Sequence, residues 1–169
     1  MATLLKGLVA ILTTAHIEDK DTGTDDHIYI GLVGRGGGRE FALATEEEDF
    51  EVQPPGKPEV FLLGSFWDNP AASVPQAKNT LRSAPGGDND PARFEVDLDL
   101  VDYVYLRKQG ERSFDGDDTY VLQQVVVYLY GPVTGQRRTF RADADAGLSL
   151  GNEFGHVVYL HDVTVGGPP

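Results

Sequence analysis

Read for its alternation of apolar and polar positions, the chain resolves into short β-rich runs separated by turn residues, and no long stretch of helical period with caps interrupts them. The runs are Leu8 to Thr14, His27 to Gly34, Arg39 to Leu43, Glu59 to Leu63, Arg93 to Leu98, Tyr103 to Lys108, Tyr120 to Tyr130, Arg137 to Ala142 and Gly155 to His161. Ile28, Ile30 and Leu32 fall on one face of their run, as do Val125, Val127 and Leu129. That period of two is what a strand with one face against a core requires. Gly34-Arg35-Gly36-Gly37-Gly38 and Gly131-Pro132-Val133-Thr134-Gly135 lie between runs, and their glycines suit hairpin connections. The pattern predicts an all-β fold, a two-sheet antiparallel β-sandwich of about eight strands.

A length of 169 residues suits one domain, taken here as 1–165, with Gly166-Gly167-Pro168-Pro169 as a tail. Between Gly64 and Ala92 the alternation breaks into Ala-, Ser- and Pro-rich sequence, which predicts a long inserted loop over about 64–92. Phe66 and Trp67, the only tryptophan, open that segment and are expected to cap an open end of the sandwich; an exposed hydrophobic anchor is the alternative. The apolar stretch Leu8 to Leu12, preceded by Lys6, loosely imitates a secretory leader, but it is short for one and reads better as a first buried strand. No convincing signal peptide is therefore expected. No run approaches the ~18 apolar residues of a membrane span, so no transmembrane segment is expected, and the compartment is not indicated.

Charge narrows the partners. Fourteen Lys and Arg against 27 Asp and Glu give a net charge of −13, which repels phosphate backbones and anionic lipid unless something neutralises it locally, so nucleic acid is not an expected partner. The acids crowd into two short segments containing glycine, Asp19-Lys20-Asp21-Thr22-Gly23-Thr24-Asp25-Asp26 and Asp115-Gly116-Asp117-Asp118. Calcium takes six to eight oxygen ligands from carboxylates and carbonyls, and flexible Asp-rich loops supply them. At one rim of a sandwich the two segments would repel each other, and a divalent ion would relieve that repulsion. Neither segment fits the EF-hand spacing, and a solvated acidic turn is the other reading of such sequences. The absence of cysteine excludes disulfides, a thiolate nucleophile and sulfur-ligated zinc.

Several strings resemble the PLAT (lipoxygenase-homology) family. Asp21-Thr22-Gly23-Thr24-Asp25-Asp26-His27-Ile28-Tyr29-Ile30-Gly31-Leu32 looks like the family's G-T-D turn leading into an aromatic-apolar strand. Glu48-Asp49-Phe50 followed by Pro58-Glu59-Val60-Phe61 resembles its acidic-Phe turn and next strand. Asp102 to Lys108 resembles its strand with a basic pair, and Asp118-Thr119-Tyr120-Val121-Leu122 its D-W-x-L segment, with Thr119 in place of Trp. Gly135 to Phe140 and Leu148 to Asn152 are similar to its last hairpin and corner. In family order these pieces cover most of the chain outside 64–92, and they look most like the C-terminal calcium-dependent membrane-binding domain of bacterial phospholipase C alpha-toxins. The resemblance implies calcium ligands at Asp21, the Gly23 carbonyl, Asp118 and the Thr119 carbonyl. It places Thr24 and Asp25 on the rim and Asp49 in a further site. It also implies a non-catalytic module that docks, with calcium, on membrane lipid or a protein partner. A structural or protein-interaction domain, in which calcium only rigidifies loops, is the alternative.

Other candidates for chemistry have plainer readings. Gly147-Leu148-Ser149-Leu150-Gly151 spells a nucleophile elbow, but strands are expected around it where an elbow needs a following helix. The Gly34 to Gly38 run lacks the lysine and helix of a phosphate loop. His16 and His27 flank the first acidic loop as rim histidines more readily than as zinc ligands. Arg107, Lys108, Arg137 and Arg138 are basic pairs suited to ordinary surface charge. No nucleophile, base and orienting group come together, so an enzyme is not expected.

Overall fold

The computed structural model describes residues 2–18, 20–24, 26–43, 58–64, 80–82, 87–109 and 118–164. Nine strands follow one another: β1 (Gly7–Thr14), β2 (Ile28–Gly34), β3 (Gly37–Ala42), β4 (Glu59–Gly64), β5 (Thr80–Arg82), β6 (Val101–Lys108), β7 (Tyr120–Tyr130), β8 (Arg137–Leu150) and β9 (Val157–Asp162). Their order across the curled sheet is β3-β2-β6-β9-β8-β7-β1-β4-β5. One layer is β3-β2-β6-β9 and the other is β8-β7-β1-β4-β5. They join where β8 meets β9 at Phe140↔Asp162 and Arg141↔His161. Every pairing is antiparallel except β4 with β5.

The core between the layers follows from the alternation. Ile28, Ile30 and Leu32 of β2, Phe41 of β3 and Val104 and Leu106 of β6 face Leu8, Ala10 and Leu12 of β1 and Val125, Val127 and Leu129 of β7. Burying each such side chain contributes about 1.5–3 kcal/mol. β1 is buried on its other face too, where Val9 and Ile11 pack with Val60 and Leu62 of β4. Burial on both faces explains the unbroken apolar run from Leu8 to Leu12, which lies inside a strand.

The expected hairpins form at both sites. Arg35 and Gly36 turn β2 into β3, and Gly37 takes φ +111°, a value other side chains rarely adopt. At the other, Gly131 N–H donates to the Gln136 carbonyl (2.9 Å).

Two expectations are corrected. Arg93 to Leu98 is not a strand, because Asp90 and Asp97 each accept a main-chain N–H two residues on and start short 3-10 turns at Pro91–Arg93 and Leu98–Leu100. Proline at the first position favours such a turn. The segment 64–92 is not wholly an inserted loop, since β5 lies within it and pairs with β4 through Val60↔Thr80, Phe61↔Leu81 and Leu62↔Arg82. Phe66 and Trp67 lie outside the described residues, as does the tail. No helix among the described residues is long and apolar enough to cross a membrane.

Candidate functional site

The first acidic loop follows β1 and is held by its own threonines. Thr22, completely buried, donates its hydroxyl to the Ala15 carbonyl. Gly23 N–H donates to Asp21 Oδ1 (3.2 Å), closing an Asx turn, and Thr24 Oγ1 accepts the N–H of Asp26 (3.1 Å). Thr22, Gly23 and Thr24 are buried, while Asp21 is exposed.

Asp118 and Thr119, both half-buried, lead into β7. Val121, three residues after Asp118, donates its N–H to the Thr22 carbonyl (3.0 Å) and accepts the N–H of Ala15 (2.8 Å). The residue between Asp21 and Gly23 is thus hydrogen-bonded to the start of β7, and the two segments lie side by side. Beneath them Tyr120 is fully buried, and its hydroxyl accepts from Thr14 Oγ1 (3.2 Å). Burial pushes its phenol far above the ordinary range; the Glu59 charge adds to this and the Thr14 hydrogen bond opposes it.

Two further features belong to this end. Lys108, the last residue of β6, has a completely buried side chain whose ammonium donates to Asp26 and, at 3.3 Å, to the Gln109 carbonyl. The loop's acid thus meets an internal cation, which sequence reasoning assigned to the surface. The turn from Gly151 to Gly155 lies here as well: Leu150 pairs with Tyr120, and the His156 carbonyl accepts the N–H of Lys108 (2.9 Å). At its tip Phe154 is 61% exposed. Sequence reasoning missed Phe154, although an aromatic in Gly151-Asn152-Glu153-Phe154-Gly155 is a legible signal of a tight turn bearing an exposed ring.

Of the expected ligands, Asp25 and Asp49 lie outside the described residues, as do Asp115, Gly116 and Asp117. The described residues bring together the main chain around Asp21 and Gly23 and the segment beginning Asp118-Thr119. Carboxylate and carbonyl oxygens are donors that suit calcium and not a soft metal. Among the described residues no group of three or more His, Asp or Glu converges as a metal cage, and Asp26 is engaged by Lys108. The described part of the rim therefore fits calcium only in the kind of oxygen atoms it offers.

The other candidates are placed clearly. Ser149 lies inside β8 opposite Val121, and the chain continues through a turn into β9, so no nucleophile elbow forms. His16 is exposed, and His27 meets Tyr29 edge to face. Arg107 grips Glu40 through Nε and Nη2, each at 2.7 Å. Arg138 donates to the carbonyls of Leu98 and Val101 and to Asp162. Arg137 lies over Tyr128. The basic pairs thus make intramolecular contacts and do not form a shared anion patch.

Comparison with known proteins bears on the fold. No family model matches the chain, and no curated protein matches it. Among solved structures it is similar to the Clostridium perfringens alpha-toxin from an avian strain, with TM-score 0.53 and 18% identity over 95% of this chain and 33% of that one. The alpha-toxin from Clostridium absonum is similar at TM-score 0.50 and 16% identity, over 95% of this chain and 31% of the toxin. A LOX deletion variant matches at TM-score 0.49 and 14% identity, over 92% of this chain and 16% of that one. The chain spans about a third of the length of the toxins it matches, and at these identities the likeness is one of fold.

Proposed function

We propose that this chain is a non-catalytic, PLAT-like module that binds calcium at the rim formed by the loop after β1 and the start of β7, and docks on a lipid surface when the ion is bound. The hydrogen bond from Val121 N–H to the Thr22 carbonyl carries this reading, because it sets the Asp21 and Asp118 segments beside each other. A cation shared between them offsets their repulsion and gives an acidic molecule a local surface that anionic headgroups tolerate. Asp21, Asp118 and the Gly23 and Thr119 carbonyls are the proposed ligands here. Thr24 completes the rim, and Asp25 and Asp49 would extend it. Phe154, exposed on a turn at the same end, suits burial among acyl chains once charge no longer opposes approach. The toxin likeness in fold agrees with such a module.

Pelleting with vesicles of phosphatidylcholine and phosphatidylserine tests it. The protein sediments with calcium and stays in the supernatant with chelator, and Phe154→Ser and Asp118→Asn each reduce the bound fraction severalfold. Binding indifferent to calcium, or none, removes the lipid reading.

A second reading rests on Lys108. A buried ammonium already opposes the charge of Asp26, which favours a rim that keeps its shape without metal and a module that works through protein contacts. On that reading calcium at most stiffens the loops, and light scattering shows association that chelator does not change.

A further inference from the structure

The layer β3-β2-β6-β9 gathers exposed apolar side chains on its outer face. Alternation turns Tyr29, Gly31 and Val33 of β2, Tyr103, Tyr105 and Arg107 of β6, and Val157, Tyr159 and His161 of β9 away from the core. Register sets them in rows, with Gly31 beside Tyr105 and Tyr105 beside Tyr159. Of the nine large hydrophobic side chains exposed among the described residues, Val33, Tyr103, Val157 and Tyr159 share this face. Tyr103 and Tyr159 are 61% and 64% exposed. Scattered apolar residues need no explanation, whereas four on one sheet face do.

The face is also rigid. The Tyr105 ring lies flat on Gly31, where a β-carbon would fall inside the ring, and its hydroxyl donates to Glu40 (2.9 Å). Tyr159 meets Tyr105 edge to face at 6.0 Å. Tyrosines held in this way present area with little rotamer entropy left to lose.

Charge selects the occupant. The charged side chains in these rows, Arg107 and Glu40, neutralise each other in a two-point ion pair, so the net −13 of the chain resides elsewhere. Two copies approaching through other surfaces meet like charge, and through this face they do not. Anionic lipid and nucleic acid gain nothing from a face whose arginine is already paired with an acid. We propose that a second copy of this chain packs here, Tyr103 and Tyr159 of each copy against the same face of the other about a two-fold axis. This does not depend on calcium at the rim.

Size sets the strength. Four strands about 4.8 Å apart, each showing about five residues of ~3.3 Å rise, cover on the order of 300 Å² in projection. That belongs to the small-interface class, below about 1,200 Å² in total, so the dimer is a concentration-dependent one with Kd on the order of 10⁻⁵ M.

Sedimentation velocity of the full chain between 1 and 500 µM total protein, with and without chelator, tests the proposal. The weight-average coefficient rises from monomer to dimer and ignores the chelator. Raising salt from 50 to 500 mM tightens the dimer, because it screens the net like charge that each copy carries. Tyr103→Glu and Tyr159→Glu, both at exposed positions, each weaken association at least tenfold with unchanged urea unfolding; Val157→Lys does the same if either tyrosine variant misfolds. A chain that stays monomeric at 500 µM overturns the proposal and leaves the face to a different partner. A dimer unaffected by all three substitutions, or one that chelator dissociates, overturns it as well and leaves the calcium reading standing.

Discussion

The ammonium of Lys108, wholly removed from solvent at the end of β6, is held by the carboxylate of Asp26, which is only 11% exposed. Two charges at such depth have each lost most of their hydration, and removing one strands the other. Asp26→Asn is therefore expected to destabilise the fold by about 3–5 kcal/mol, since the buried ammonium loses a carboxylate that opposes its charge. Lys108→Met costs less, because Asp26 reaches the surface, and the double variant costs less than the sum. Urea unfolding of the four proteins measures this cycle. An Asp26→Asn midpoint equal to that of the parent contradicts it.

Glu40 links stability to pH. The hydrogen bonds from Arg107 hold its carboxyl below the ordinary value, against burial, which raises it, and with help from the Tyr105 hydroxyl. A carboxylate lowered in this way stabilises the folded state above its unfolded pKa of about 4.3 and loses that contribution as pH falls through the lower folded value. Glu40→Gln is expected to cost about 1 kcal/mol at pH 7, as the pair is a third exposed, and the difference narrows below about pH 4. Urea midpoints of both proteins at pH 7 and pH 3 check this. A gap that widens in acid is the contrary result.

Gly31 is expected to tolerate no side chain. Alanine there pushes the Tyr105 ring off the sheet and breaks its bond to Glu40, for about 1–3 kcal/mol. The near-ultraviolet tyrosine dichroism should change with it, and an unaltered spectrum with unaltered stability counts against the packing described.

Asn89 closes the free edge of β3. Its carboxamide accepts the N–H of Ala42 (3.0 Å) and donates to the Ala42 carbonyl (2.6 Å), as a neighbouring strand would. Asn89→Ala is expected to cost about 1–3 kcal/mol and to raise aggregation on heating, because the edge is left to pair with other chains. Asn89→Asp should be no better, since a carboxylate accepts from the N–H and repels the carbonyl. Thermal unfolding with light scattering reads both effects.

Most of the sandwich is legible from alternation because one face of most strands is core. Tyr120 to Tyr130 is β7 to the residue, and Leu8 to Thr14 falls short of β1 by one. What escapes is set by contacts distant in sequence. Thr80–Arg82 is three residues long and is a strand only because β4 accepts it. Phe94, Val96 and Leu98 alternate like a strand, yet the caps at Asp90 and Asp97 win locally, and Asp90-Pro91 was the available sign. β8 runs eight residues past the expected Ala142 because β7 pairs with it on both sides of the polar Ala-Asp stretch, at Asp143 and again from Leu148 to Leu150, with a register shift between them. At the rim, the closeness of the two acidic segments follows from β1 pairing with β7, which an antiparallel sandwich makes natural. For Lys108 the period of two does mark the inward face, shared with Val104 and Leu106, but the acid that accompanies a buried ammonium there, Asp26, is distant in sequence.

Calorimetric titration of calcium into the parent chain, Asp21→Asn and Asp118→Asn tests the rim most directly. The parent should bind with Kd on the order of 10⁻⁴ to 10⁻³ M, and each variant at least tenfold more weakly. Heats no larger than dilution in the parent, or isotherms that neither substitution alters, contradict a shared ion between the two turns.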